Sequence, residues 1–255
     1  FSKLLDLYVT LKAGQVRPRT LSATYIPSAK SFLALVGDMP LEQYTPLHVS
    51  QFIQRKLQLV TPSTVNVNLR SLKSIVNWGV GQELLPEKNP FSRIKLLKVP
   101  EKQITFLTKE QFKLIYESET SQTFKDIYLY AILSGIRLGS VLNTQWQHIN
   151  YEDKTVVVGN DEDGSYLTKT GKSQVLPLHP NLVAMLQRRQ QELGRECKYV
   201  FANTRGVFAT KLSLVYISHS FKKRVRSLKL PESIHFHSLR ASYGSWLAKA
   251  GTNIF

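Results

Sequence analysis

Hydrophobic side chains recur at helical spacing through the first third of the chain. One apolar stripe covers residues 1–11 and ends near Gly14, and a second covers residues 21–36 and ends at Gly37. Positions i, i+3, i+4 and i+7 share one face of a helix, so both stripes predict amphipathic helices. Pro27 lies inside the second stripe, where it predicts a kink or a division of the helix.

Two further helices begin at Thr-Pro pairs. Thr45-Pro46 and Thr61-Pro62 each place an N-cap residue before a proline at the first helical position. The apolar stripe after the second pair continues to Gly81, which predicts a long fourth helix. The first part of the chain therefore reads as a bundle of short helices.

A proline-rich, basic stretch separates the two halves of the chain. Pro86, Pro90 and Pro100 lie here among several Lys and Arg, without a long periodic run, which predicts an extended linker. We expect a helical domain over residues 1–88, a linker over 89–105 and a second domain over 106–255. The pattern from Thr108 to Gln111 is a capping box and predicts the first helix of that second domain.

The second half mixes helical and strand patterns. An apolar run at residues 124–133 predicts a buried helix that breaks at Ser134-Gly135, and the stripe at 138–149 predicts another. Three short β patterns follow, at residues 155–158, 166–168 and 174–178. Further helices are predicted at 180–193 and 211–228, and from 237 onward with one buried face. The fold class is mostly α with a small antiparallel β-sheet.

The charge of the chain indicates a polyanionic partner. There are 34 Lys and Arg against 18 Asp and Glu, a formal net charge of +16. The longest apolar runs, such as residues 127–133, are too short to span a bilayer, and no secretion signal opens the chain. Cys197 is the only cysteine, so no intrachain disulfide is possible and a reducing, cytoplasmic compartment is expected.

A polar face on the fourth helix offers candidate DNA contacts. Asn66, Arg70, Lys73 and Asn77 follow one another at intervals of three or four residues, away from the apolar stripe. Such a face is either solvated or lies along a groove or its phosphates, and the sequence leaves both open. The candidate DNA-binding residues in the whole chain are Arg70, Lys73, Asn77, Lys172 and Lys222.

Three motifs carry the candidate chemistry, in a fixed order. They are Gly135-Ile136-Arg137-Leu138-Gly139-Ser140, then Lys169-Thr170-Gly171-Lys172, then His237-Ser238-Leu239-Arg240. His237 and Arg240 share a helical face, where an imidazole and a guanidinium suit an anion between them. This order of Arg, Lys and His-x-x-Arg resembles the tyrosine recombinase (phage integrase) family.

The resemblance implies a fold and a reaction. The fold would be an N-terminal SAM-like core-binding domain followed by an integrase-type catalytic domain. The reaction would be site-specific cleavage and rejoining of DNA strands through a 3′-phosphotyrosyl intermediate. Arg137 and Arg240 would hold the non-bridging oxygens of the scissile phosphate, Lys169 would be the general acid, and His237 would donate to the phosphate or accept the proton of the nucleophile. Lys172 remains a rival to Lys169, and His235 ranks second to His237.

The resemblance also implies partners. These are double-stranded DNA and a homotetramer assembled on paired DNA sites, with no membrane, nucleotide or metal. A cytoplasmic, nucleoid-associated protein encoded by a prokaryote, a phage or another mobile element is expected.

Two departures from the family pattern stand out. The acidic residue that the family has three positions after the first Arg is replaced by Ser140. The family's last His or Trp and its nucleophilic Tyr would lie beyond Phe255, so we expect a chain that lacks its C-terminal tyrosine segment. Tyr243 continues an apolar stripe and is a poor substitute for that nucleophile.

Three other functions remain open on sequence grounds. The chain could be a catalytically inactive DNA-binding protein of the same fold or an enzyme resembling a type IB topoisomerase. A metal-dependent nuclease is a third reading, since Asp161, Glu162 and Asp163 form an acidic turn, although no ligand spacing supports a metal site there.

Overall fold

The computed structural model describes residues 1–85, 89–101, 103–160, 171–193, 197–203 and 210–251. The chain divides into two compact units, Phe1–Lys102 and Gln103–Phe255. We call them the N-terminal unit and the C-terminal unit. Each has its own hydrophobic core.

The N-terminal unit is helical, as its periodicity predicts. Phe32 is fully buried at its centre, with its ring centroid 5.3 Å from that of Phe52 and 5.4 Å from that of Phe91. The helices are α1 (Ser2–Lys12), α2 (Pro18–Thr20), α3 (Ile26–Val36), α4 (Pro46–Leu57) and α5 (Pro62–Gly81).

Pro27 divides the second predicted helix. It lies in the first turn of α3, and a wide π-type turn, Leu21–Tyr25, joins α2 to α3. Proline has no N–H and its ring crowds the preceding turn, so a regular helix cannot run through this position. The wide turn accommodates the proline while the chain stays helical on both sides.

The first part of the predicted linker packs on the N-terminal unit. Phe91 is 2% exposed and belongs to the core of this unit. Asn66 fixes Leu97 through two hydrogen bonds: its Nδ2 donates to the Leu97 carbonyl and its Oδ1 accepts from the Leu97 N–H, both at 2.9 Å. Residues 89–97 are therefore held against α5.

The C-terminal unit confirms the predicted fold class, mostly helical with a small antiparallel sheet. The predicted capping box is present: Gln111 N–H donates to Thr108 Oγ1, and Thr108 N–H donates to Gln111 Oε1. The helices are α6 (Lys109–Ser118), α7 (Gln122–Ser134), α8 (Leu138–Leu142), α9 (Pro180–Leu193), α10 (Leu214–Ser227) and α11 (Ser238–Lys249).

A three-stranded antiparallel sheet follows α8. Its strands are β1 (Ile149–Asn150), β2 (Thr155–Val158) and β3 (Gln174–Pro177), in the order β1-β2-β3. Val156 pairs with Ile149 on one side and with Leu176 on the other. The strand predicted at residues 166–168 lies outside the described residues. A separate two-stranded ladder joins β4 (Ala202–Asn203) to β5 (Thr210–Lys211).

The helix predicted over residues 138–149 is wrong in its second half. The α-helix ends at Leu142, and Ile149 belongs to β1. Tertiary pairing overrides the apolar spacing here, because Val200 N–H donates to the Thr144 carbonyl and Trp146 N–H donates to the Lys198 carbonyl. The start predicted for α10 is also early, since Lys211 lies in β5.

Candidate active site

The loop that carries Arg137 begins at a left-handed glycine. Gly135 follows α7 with φ +65°, and its N–H donates to the Ala131 carbonyl at 3.0 Å. This is a common way to end a helix, and glycine adopts the conformation without steric cost. Ile136 is then buried, while Arg137 is exposed at the N-cap of α8.

Helix α11 brings Arg240 to this loop. Leu239 and Ser242 are fully buried, so the helix is fixed along one side. Arg240 Nη1 donates to the Gly135 carbonyl at 2.6 Å, two residues before Arg137 in the chain. The structure therefore brings the arginine of the first motif and the arginine of the last motif to one loop.

Tyr243 closes the contact between α11 and the loop. A Cβ atom added at Gly135 would lie 2.2 Å from Tyr243 Cδ1. Glycine is thus required here both by its positive φ and by the close approach of an aromatic ring. Tyr243 is only half-buried, although the sequence places it in the apolar stripe of this helix.

The two arginines repel each other. Partial burial lowers the pKa of Arg240, and the positive charge of Arg137 lowers it further, although Arg240 as a whole is an exposed residue. Two neighbouring guanidinium groups lose this repulsion when an anion lies between them. The pair is therefore suited to a phosphate, whose two non-bridging oxygens match two planar donors.

His237 lies at the start of the same helix. It is exposed and is the residue immediately before α11. Its ring stacks on that of His235, with centroids 6.4 Å apart and planes inclined by 29°. His235 is tied to its own loop, because its Nδ1 lies 2.8 Å from the Ser233 carbonyl.

Of the two lysines that are candidates for the general acid, only Lys172 lies within the described residues. Lys169 lies outside the described residues, and the acidic turn at Asp161–Asp163 does too. Lys172 is exposed, two residues before β3. Asn160 Nδ2 donates to the Gly171 carbonyl at 2.8 Å, which ties together the two ends of the connection between β2 and β3.

The predicted DNA contacts differ in their surroundings. Arg70 is exposed on α5. Lys73 donates to the Ser92 carbonyl at 3.2 Å, and Asn77 accepts a hydrogen bond from Asn89, so both contribute to holding the 89–97 segment. Lys222 bonds to the segment between α10 and α11. Of the three DNA-binding candidates on α5, Arg70 is the one whose side chain takes no part in these contacts with the 89–97 segment.

Sequence reasoning missed the groups that support the site. Ser242 Oγ accepts from the Leu107 N–H at 2.7 Å and donates to the Ser238 carbonyl at 2.8 Å, which anchors α11 to the start of the C-terminal unit. Glu232 pairs with both Lys222 and Arg226. The sequence does contain a signal for Glu232, since it is the only acidic residue in the last 59 positions, 197–255.

The described residues offer neither a metal site nor a membrane-spanning helix. They contain no group of three or more His, Cys, Asp or Glu side chains placed to hold a metal ion. None of the helices in the described part of the chain is long and apolar enough to cross a membrane.

Comparisons with known proteins agree on one family. Residues 105–254 match the sequence model described as the phage integrase family. The chain is 22% identical over 272 residues to the tyrosine recombinase XerC of Pediococcus pentosaceus, an alignment that covers 98% of this chain and 85% of XerC.

Solved structures show the same fold. A lambda integrase (75–356) dimer bound to a COC′ core site superposes with a TM-score of 0.81 at 19% identity, covering 99% of this chain and 91% of that one. A lambda integrase tetramer bound to a Holliday junction gives a TM-score of 0.81, covering 99% and 74%. The fold of the chain is therefore similar to that of lambda integrase residues 75–356.

Proposed function

Because the chain belongs to the phage integrase family, we propose that it is a site-specific DNA recombinase that cleaves and rejoins strands through a 3′-phosphotyrosyl intermediate. The observation that supports this most directly is the hydrogen bond from Arg240 to Gly135, which brings Arg240 to the Arg137 loop. The net charge of +16 suits a duplex DNA substrate.

The proposed mechanism assigns each side chain a task. Attack of a tyrosine hydroxyl on phosphorus builds negative charge on the non-bridging oxygens, which Arg137 and Arg240 stabilise. His237 donates to the phosphate or takes the proton of the attacking hydroxyl. Lys169 gives a proton to the departing 5′ oxygen, with Lys172 as the alternative. No metal or nucleotide enters this scheme, because the energy of the broken bond is stored in the phosphotyrosyl link.

We extend the proposal to the assembly. The solved relatives include a dimer on a core site and a tetramer on a Holliday junction, so this protein would act as a homotetramer on two paired duplexes. Mobility of a DNA element and a cytoplasmic, nucleoid-associated location are part of the same proposal. The family match and the positive charge support them.

The test traps the covalent intermediate on nicked suicide DNA, using the protein expressed from its complete gene. Arg137→Lys and Arg240→Lys should each lower trapping by about 100-fold or more while binding stays within a few-fold, since a single preorganised oxyanion donor contributes about 10²–10³ in rate. Lys113→Met is the matched control, because Lys113 is 73% exposed and pairs with Glu117 on its own helix. Its trapping should equal that of the wild-type protein.

Other outcomes distinguish the rival functions. DNA binding without any adduct in the wild-type protein would indicate a catalytically inactive DNA-binding protein. Relaxation of supercoiled DNA without a preferred site would indicate topoisomerase activity. Cleavage that EDTA abolishes would indicate a metal-dependent nuclease.

A further inference from the structure

The segment that leads into α11 depends on contacts from other elements. Residues 231–237 form neither helix nor strand, yet they end at His237, three residues before Arg240. The inner side is fixed by Phe236, which is 5% exposed and lies 5.5 Å from the Phe221 ring centroid to centroid. The outer side carries Glu232 and His235, both exposed, so burial does not fix it.

The ammonium group of Lys222 holds the outer side of this segment through hydrogen bonds to three acceptors. Its Nζ donates to the carbonyl of Glu232, to the carbonyl of Ile234 at 3.0 Å, and to the Glu232 carboxylate at 2.8 Å. A lysine ammonium has three N–H donors and no acceptor. These three acceptors therefore occupy all of its donors.

Glu232 is held from a second direction. Arg226 Nε donates to Glu232 Oε1 at 2.8 Å. The bonds from Arg226, and then those from Lys222, hold the pKa of Glu232 at about 2, so this carboxylate stays charged throughout the neutral range.

The position of Glu232 in the sequence argues for the same role. It is the only acidic side chain in residues 197–255, where ten Lys and Arg occur. A carboxylate beside a DNA-binding surface repels phosphates, so it opposes DNA affinity. A role in holding the segment accounts for an acid at this position.

We propose that Lys222, together with Glu232, is a positioning pair that fixes residues 231–237 and thereby sets His237 and Arg240 at the candidate active site. The proposal rests on the proposed function for its effect on catalysis. Lys222 thus acts on the reaction through the backbone of this segment. The alternative is that Lys222 contacts DNA phosphates, and the test must distinguish these two roles.

The experiment separates binding from chemistry in the protein expressed from its complete gene. For Lys222→Met, Glu232→Gln and Lys223→Met we would measure the Kd for DNA against salt, and the trapping rate on saturating suicide DNA. Lys222→Met should slow trapping about 10- to 100-fold, as expected for a misplacement of about 1 Å, with Kd within twofold. Glu232→Gln should also slow trapping, although it removes a negative charge and so does not weaken DNA binding.

Lys223→Met is the matched control, since the neighbouring Lys223 is exposed and the substitution removes one positive charge from the same helix. Its trapping rate at saturating DNA should not change. The proposal would be overturned if Lys222→Met bound DNA more weakly, lowered the slope of log K against log salt concentration by about one, and left the trapping rate unchanged. That result would show that Lys222 contacts a DNA phosphate.

Hydrogen exchange makes the result independent of the proposed function. Ile234 N–H donates to the Pro231 carbonyl at 3.0 Å and Ser238 N–H to the His235 carbonyl at 2.8 Å. In Lys222→Met and Glu232→Gln these amides should exchange faster, while amides of α7 and all amides of Lys223→Met keep wild-type rates. Unchanged exchange in both variants overturns the positioning role even if trapping falls.

If Lys222→Met does not fold, the trapping and exchange rates of Glu232→Gln alone test the positioning role. A wild-type protein that forms no adduct refutes only the recombinase function.

Discussion

Gly135 ends α7, starts the Arg137 loop and accepts the hydrogen bond from Arg240. It combines a φ of +65° with a Tyr243 ring that leaves no room for a Cβ atom. The positive φ alone costs an L-residue about 1–2 kcal/mol. The clash adds to this, because the Tyr243 ring, which lies on the helix that carries Arg240, must shift to admit a Cβ atom.

We expect Gly135→Ala to destabilise the protein by about 2–4 kcal/mol in urea unfolding. Gly171→Ala is the control, since Gly171 has φ +69° but no described atom within 4 Å of its Cβ position. It should cost only the backbone strain. Adding Gly135→Ala in a Tyr243→Ala background should then cost about as much as Gly171→Ala. Equal losses for the two glycine variants in the wild-type background would contradict the role of Tyr243.

Among the elements, α7 and α9 are joined by a buried ionic network. Asp126 is 1% exposed and accepts from Arg189 at 2.9 Å and from Arg188 at 2.6 Å. Arg189 is itself buried and also donates to the Val200 carbonyl at 3.0 Å. Removing the carboxylate charge leaves a buried guanidinium uncompensated, which is far more costly than losing an exposed ion pair.

Asp126→Asn should therefore lower the free energy of unfolding by about 3 kcal/mol. Glu117→Gln breaks the exposed pair between Lys113 and Glu117 on α6 and should change stability by less than about 1 kcal/mol. Urea denaturation at pH 7 measures both. A loss in Asp126→Asn no larger than in Glu117→Gln would show that the network does not hold α7 to α9.

The same elements show how far the sequence predicts the structure. Periodicity and start signals located α5, because its apolar face, its Thr-Pro start and its terminal glycine all agree, and α9 was predicted at the bounds that the structure has. They failed at residues 143–149, where the fold is decided by backbone pairing with residues 198–200, which no local pattern reveals. For the site, the motifs named Arg137 and Arg240. The supporting contact of Ser242 joins residues 135 positions apart, and that of Lys222 spans a segment that is neither helix nor strand, so no periodic pattern reveals either contact.

On the scale of the whole molecule, the connection between the units is short because both ends are fixed. Asn66 holds Leu97 to the N-terminal unit, and Ser242 holds Leu107 in the C-terminal unit. The nine intervening residues reach about 30 Å at full extension. Under the proposed function both units bind DNA. This length would then limit how far the second unit can search after the first has bound, and a longer tether would lower the effective concentration of the second unit.

Asn66→Ala should free the chain back towards Ser92, whose carbonyl Lys73 still holds, and lengthen the tether to about 14 residues. The effective concentration falls roughly as the −3/2 power of length, so DNA binding should weaken about twofold. Trypsin should cut faster at Lys95 and Lys98, since the released backbone can enter the protease. The control is Val67→Ala, a truncation at an exposed position on the same helix. It should change neither the affinity for DNA nor the rate of trypsin cleavage. Wild-type rates of cutting in Asn66→Ala would show that Phe91 and its neighbours fix the segment without Asn66, and that the tether is set by packing alone.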